Sequence, residues 1–299
     1  MHWLSYAKTF PQGDSRPIAF QNTSNKFVRD VVSSFNHTSR VNGLLFGQVQ
    51  SGKTTHTFSV IAATADADPG FRLFVYLTSN STQLHLQTLG DAFQRLNSSF
   101  EVCGPEDELR FKRNLNRPAL IVLNKDPRVL AKWNDILLTD PRTSDGPIMV
   151  IDDEGDAASQ NTKVNQGDVS TIHSHIQSLR GLGTGSVYLQ VTATPQALFL
   201  QSLASGEKPK FIHYFDPGSQ YLGGDFFFGS EDSITHRYIP EDDLEVLLGK
   251  GEASPGLIQA IASFICVTAY FQFVGRDNAN CLIHPHFSRS SHVTVQKII

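Results

Sequence analysis

The 299 residues carry a formal net charge of −4, with 40% hydrophobic and 18% charged side chains, the balance of a globular protein long enough to bury a substantial core. That slight negative balance excludes a global attraction to nucleic acid or to an anionic membrane, so any nucleic-acid surface has to be local. The three cysteines, Cys103, Cys266 and Cys281, are widely spaced and form no C-x-x-C pair, which speaks against a disulfide framework and a cysteine zinc site and for a reducing cytoplasm.

Met1 to Asp14 has no apolar run behind a basic start, so no signal peptide is expected. Phe27, Val31 and Phe35 fall on one helical face after Thr23 and Ser24, a capping signal, which predicts an amphipathic helix over Ser24 to Phe35 in an N-terminal helical segment, 1–40. From Asn42 onward short apolar runs alternate with helical patterns. Gly43–Phe46, Arg72–Leu77, Ala119–Leu123, Ile148–Ile151 and Ser186–Val191 suit buried parallel strands. Thr82–Leu96 and Pro127–Leu138 have the length and periodicity of crossover helices. The predicted fold class is therefore α/β, a doubly wound, mostly parallel sheet over 41–215.

After Phe215 the texture turns to Gly, Asp and aromatics, as in Pro217–Gly224 and Phe226–Phe228, which predicts an irregular connector or insertion over 216–255. Ser254-Pro255-Gly256 then opens a long apolar helix. Leu257 to Val274 approaches transmembrane length, but Gln259, Ser263, Thr268 and Gln272 interrupt it and no basic flank anchors one side, so a buried helix with no membrane role is predicted. Cys281–His284 reads as a strand and Ser288 as a helix start, the beginning of a second α/β unit over 256–299.

Two segments carry chemistry. Gly47 to Thr54 satisfies G-x-x-x-x-G-K-[ST], a match that a random chain of this length would give about once in a hundred. It follows an apolar strand and opens a helix-compatible segment, so backbone N–H groups and a helix N-terminus can face phosphates. Gly47, Gln50, Ser51, Gly52, Lys53, Thr54 and Thr55 form the expected nucleotide-binding set, with ATP as the nucleotide. Lys53 would reach the β- and γ-phosphates and the Thr54 hydroxyl would ligate Mg²⁺.

The second segment is Ile148–Ile151 running into Asp152-Asp153-Glu154-Gly155-Asp156, which sets carboxylates at the C-terminal edge of a buried strand, where doubly wound proteins bind ligands. Asp153 is assigned to the metal and Glu154 to the attacking water. Asp152 either caps the next helix or supports the metal shell from outside. His173 and His175 are two apart and share no helical face, so they make a weak zinc pair.

The order of Gly47–Thr54, Asp153–Asp156 and Thr192-Ala193-Thr194 resembles motifs I, II and III of superfamily-two helicases, with Gly155 where Ala is usual. Within that superfamily it resembles the Z-one domain group of helicase-like ATPases from restriction and phage-defence systems. The residues carrying this are Gln48-Val49-Gln50-Ser51, Ile151–Ser159 with Asn161-Thr162, Thr192–Pro195, Tyr221–Gly224 before Phe227-Phe228, and Cys281–His284.

The resemblance implies RecA-like P-loop NTPase domains with ATP between them, double-stranded DNA across both, and hydrolysis coupled to movement or remodelling beside a nuclease subunit. Thr192 and Thr194 would couple phosphate state to DNA grip, and Thr78-Ser79-Asn80 sits where the superfamily's motif Ia contacts the nucleic-acid backbone. Gln21 is a loose candidate for reading adenine. The later motifs that supply an arginine finger are missing, so the chain is expected to be a fragment or to draw that Arg from a partner, and to turn over slowly. A nucleotide-controlled assembly switch that never translocates stays open as the alternative. A nuclease reading is disfavoured, because Glu106-Asp107-Glu108 and Glu241-Asp242-Asp243 lack a lysine at the right offset.

Overall fold

The computed structural model describes residues 1–32, 35–67, 70–155, 170–196, 198, 208–215, 217, 221–229, 239–276, 278–285 and 288–299. The chain divides into two compact units, Met1–Tyr221 and Leu222–Ile299.

The first unit is built on a seven-stranded sheet. Its strands are β1 (Arg40–Phe46), β2 (Leu73–Thr78), β3 (Glu101–Cys103), β4 (Ala119–Asn124), β5 (Ile148–Asp153), β6 (Ser186–Thr192) and β7 (Phe211–Tyr214). The spatial order is β3-β4-β2-β5-β6-β1-β7, and every pairing is parallel. The apolar runs are continuous because helices cover both faces. Along β2, Leu73, Val75 and Leu77 pack with Trp133 on one side, while Phe74 and Tyr76 pack with Phe58 and Ile61 on the other.

The helices of this unit are α1 (His2–Ala7), α2 (Arg16–Phe27), α3 (Lys53–Asp66), α4 (Thr82–Leu96), α5 (Glu108–Arg113), α6 (Pro127–Leu138), α7 (Pro141–Asp145) and α8 (Thr171–Gly181). Local caps fix where several begin. The Ser81 side chain accepts from Leu84 N, and Asp126 accepts from Arg128 N and Val129 N, each cap worth about 1 kcal/mol. The register aligns the C-terminal ends of five strands. Phe46 lies opposite Thr192, Val191 opposite Asp153, Leu77 opposite Asp152, and Thr78 opposite Asn124. The loops leaving these ends therefore share one edge of the sheet.

The structure corrects several expectations. Ser24 does not start a helix; it lies inside α2, buried, with its hydroxyl 2.7 Å from that of Ser59 on α3. The helix begins at Arg16, with Pro17 in its first turn, and a π-helical stretch, Val28–Val32, brings Phe27, Val31 and Phe35 into the core. Strands β3 and β7, one at each edge of the sheet, had no sequence signal of their own.

The second unit contains α9 (Gly224–Phe228), α10 (Glu241–Leu244) continuing into a π-helical stretch at Glu245–Lys250, α11 (Pro255–Phe273) and α12 (Arg289–Ile298). Ser254 caps α11 as expected, accepting from Leu257 N. The helix is not buried, however. Ile258, Ile265, Val267, Tyr270 and Phe273 are exposed, and only 6% of its apolar stretch is enclosed. The physical reason is size: among the described residues the buried cluster of this unit is Leu247, Leu257 and Val295, too small to wrap a helix apolar round its circumference. By length and composition α11 is long and apolar enough to cross a membrane. Cys281–His284 forms no strand, and the N-cap of α12 is Ser288.

Candidate nucleotide site

The loop between β1 and α3 is held by its own sequence. Gly47 N donates to Thr192 O at 3.3 Å, and a Cβ at Gly47 would overlap the Phe215 ring, so only glycine fits. Ser51 N and the Ser51 hydroxyl both donate to Gln48 O, and the Lys53 ammonium reaches the same carbonyl at 3.2 Å. Gln50 and Gly52 take left-handed conformations, φ 56° and 86°, which turn the chain into α3. Open space surrounds the missing Cβ of Gly52, and the first-turn N–H groups of α3 have no acceptor within the helix. Thr55 is tied from below, its carbonyl accepting from the Tyr6 hydroxyl at 2.6 Å.

At the neighbouring strand end, Asp152 and Asp153 point to different surroundings, as successive strand residues must. Asp152 is fully buried and paired with Lys125 at 2.7 Å, and it accepts from the Tyr188 hydroxyl. Two side chains, Lys125 and Tyr188, thus hold its carboxylate. Asp153 is partly exposed, and its Oδ2 accepts from the Tyr76 hydroxyl at 2.9 Å. Burial pushes the Asp153 carboxyl above its ordinary value; the Tyr76 hydrogen bond opposes this, while the charges of Glu154 and Asp152 add to it. Tyr76 is raised well above the usual tyrosine range, first by burial and then by the Asp153 charge.

Thr54, in the first turn of α3, acts on the same phenol in the opposite sense, lowering its pKa against the larger effects of burial and Asp153. Thr54 and Asp153, the two residues assigned to the metal from sequence, thus both act on Tyr76, Asp153 through a 2.9 Å hydrogen bond. Hydroxyl and carboxylate oxygens are the donor types that Mg²⁺ takes, so the pair fits that ion, and the glycine-lined loop fits a phosphate chain. Glu154 is exposed in a left-handed conformation, φ 54°, with its N–H donating to Asp153 Oδ1 at 3.2 Å. Gly155 N donates to Val191 O at 3.4 Å, and a Cβ there would stand 3.2 Å from that of Gln190, a tight contact. Asp156 to Ser159, Asn161 and Thr162 lie outside the described residues.

The fold at this edge is that of an α/β, RecA-like P-loop protein. No protein-family model matches the chain, and no curated protein does. Among solved structures, the DUF1998 helicase MrfA bound to DNA is similar over 66% of this chain, at 13% identity and a TM-score of 0.41. The present chain spans 27% of that helicase's length. The ORC2 protein of Aeropyrum pernix, in ADPNP–ADP complexes, matches 97% of this chain and 71% of its own, at 13% identity and TM-score 0.35. A chain of the HORMA:CdnC:Trip13 complex of E. coli MS115-1 matches 100% of this chain and 91% of its own, at 11% identity and TM-score 0.33. Likenesses this distant leave function to the site itself.

Thr192 closes the circuit. Its carbonyl holds Gly47, and its Oγ1 accepts from Thr194 N at 2.9 Å and lies 3.4 Å from Thr194 Oγ1. Of the three residues after β2, Thr78 is buried, its hydroxyl shared between His85 Nδ1 at 3.1 Å and Leu123 O at 3.3 Å. Ser79 Oγ is enclosed without a hydrogen-bond partner among the described residues, and Asn80 is exposed beside Asn124. Gln21 lies half-buried on α2, next to Phe20, which packs edge-on against His56.

Sequence reasoning missed Tyr76, Lys125 and Tyr188. The first and last stand within runs that read as apolar strand. Lys125 offered a signal, a lone cation directly after the run Ala119–Asn124 and so at the same strand edge as Asp153.

Proposed function

We propose that this chain is a P-loop ATPase of the helicase-like kind, binding ATP on Gly47–Thr54 and Thr55 with Mg²⁺ held by Thr54 and Asp153. The observation that carries this is the phosphate-type loop, tied through Gly47 to Thr192 at the end of β6, on the same sheet edge as Asp153 at the end of β5. When bound, Mg²⁺ would neutralise charge on the phosphate oxygens. The residues of the chain do the rest: Lys53 contacts the phosphates, Asp153 and Thr54 orient, and Glu154 holds the proton-accepting position for the attacking water.

The finer reading is that hydrolysis drives movement along, or remodelling of, double-stranded DNA in the cytoplasm, beside a nuclease subunit of a restriction system. It is supported by the ordered motif set and by the Thr192 link, through which one residue touches both the phosphate loop and Thr194. Asn80 is the exposed member of the motif Ia segment, which supports it as the residue that would meet a DNA backbone. The test is ATP turnover with and without double-stranded DNA. Stimulation by DNA, lost in Lys53→Ala and Glu154→Gln, supports the remodeller; turnover indifferent to DNA favours a nucleotide switch that recruits partners without translocating.

A further inference from the structure

Lys125 follows the last residue of β4 and is almost completely enclosed, its side chain 1% exposed. A lysine is almost never buried without a partner, and here the pairing is specific. Its Nζ lies 2.7 Å from Asp152 Oδ1, 2.7 Å from Asp153 O and 3.3 Å from Glu154 O. An ammonium has three donors, and these three acceptors match them. Asp152 is steadied in turn by Tyr188, and the Lys125 backbone N–H donates to Thr78 O at 3.2 Å, tying the lysine to β2 as well.

The two carbonyls belong to the residues assigned to the metal and to the water. Between them the chain makes its left-handed turn at Glu154, a conformation that a residue with a side chain keeps only when its surroundings over-determine it. Gly155 N on Val191 O pins one side of that turn, and Lys125 pins the other. A core ion pair would need only the Asp152 carboxylate. The contacts to both carbonyls give the ammonium a second task.

We propose that Lys125 is a positioning residue for hydrolysis: its ammonium clamps the Asp153–Glu154 turn and so sets where the Glu154 carboxylate stands over the nucleotide site. The inference rests on the ATPase reading above. It makes Lys125 act on the rate of the chemical step through Glu154, and leaves nucleotide binding to the loop of Gly47–Thr54.

The experiment compares the full chain with Lys125→Met, Lys125→Arg and the charge-neutral pair Lys125→Met/Asp152→Asn, the last to guard against misfolding around an unpaired buried carboxylate. Nucleotide affinity, single-turnover hydrolysis of Mg-ATP, and amide exchange over Asp153–Gly155 in the nucleotide-free protein are measured for each. Loss of the clamp is expected to lower the hydrolysis rate about 10- to 100-fold, the usual effect of an outer-shell partner, with affinity unchanged and exchange at the turn faster. Lys125→Arg is expected to recover part of the rate. In a Glu154→Gln background the same substitution is expected to cause no further loss. An unchanged rate, or an equal further loss in the Glu154→Gln background with exchange unaltered, overturns the proposal while the ATPase reading stands. A wild-type chain that neither binds nor hydrolyses ATP overturns the ATPase reading and this inference together.

Discussion

Gly47 has no room for a side chain, because Phe215 fills the space its Cβ would need. Gly47→Ala is expected to destabilise the fold by about 1–3 kcal/mol, the range for overpacking, and to weaken nucleotide binding; a denaturant titration beside a binding curve reads both. His56, two residues beyond Thr54, is buried in an aromatic slot, stacked 4.5 Å from Phe215, and burial pushes its pKa down to about 4. The folded chain therefore binds this proton more weakly than the unfolded chain does, whose histidine titrates near 6.5. Stability is complete above that value and falls as pH drops through the window from about 6.5 to about 4, with about 3 kcal/mol lost in full. His56→Phe is expected to remove about 2 kcal/mol of the difference in unfolding free energy between pH 7.5 and pH 5; an unchanged difference would show that His56 is not the group responsible.

Among the candidate site residues, those legible in sequence were the ones a local motif fixes. The spacing from Gly47 to Thr54 defines a loop, and carboxylates directly after Ile148–Ile151 define a strand edge. Tyr76, Lys125 and Tyr188 join the site only through the register of β4 with β2 and of β2 and β6 with β5, which no local pattern encodes.

At the scale of elements, the strands read most clearly were the central ones, whose side chains are apolar on both faces, as in β2 and β4. The two edge strands escaped because β3 is three residues long and β7 alternates exposed Ile212 and Tyr214 with buried His213. Helices α4 and α6 were legible from their periodicity, whereas α2 was placed late because Ser24, polar and mid-helix, looks like a cap until Ser59 is seen facing it. Trp133 on α6 fills the face of the sheet opposite α3, donating its indole N–H to Pro105 O at 3.0 Å. Trp133→Ala is expected to lower the unfolding free energy by about 3–5 kcal/mol, read as a drop in the denaturation midpoint by circular dichroism.

At the scale of the molecule, an all-parallel sheet sets the ends of β1, β2, β4, β5 and β6 along one edge, and the residues with chemical roles follow from that arrangement. The polar residues Gln259, Ser263, Thr268 and Gln272 suggested a burial for α11 that the small core of the second unit does not provide among the described residues. The central claim is that the β1–α3 loop and the Asp153 edge together form a Mg-ATP site. The most direct measurement is equilibrium binding of ATP, with and without Mg²⁺, to the wild-type chain, Lys53→Ala and Asp153→Asn. The account expects wild-type binding strengthened by Mg²⁺, binding lost or at least about tenfold weaker in Lys53→Ala, a difference of about 1.4 kcal/mol, and the Mg²⁺ enhancement gone in Asp153→Asn. Equal affinity in all three proteins, or no binding by the wild type, would contradict it.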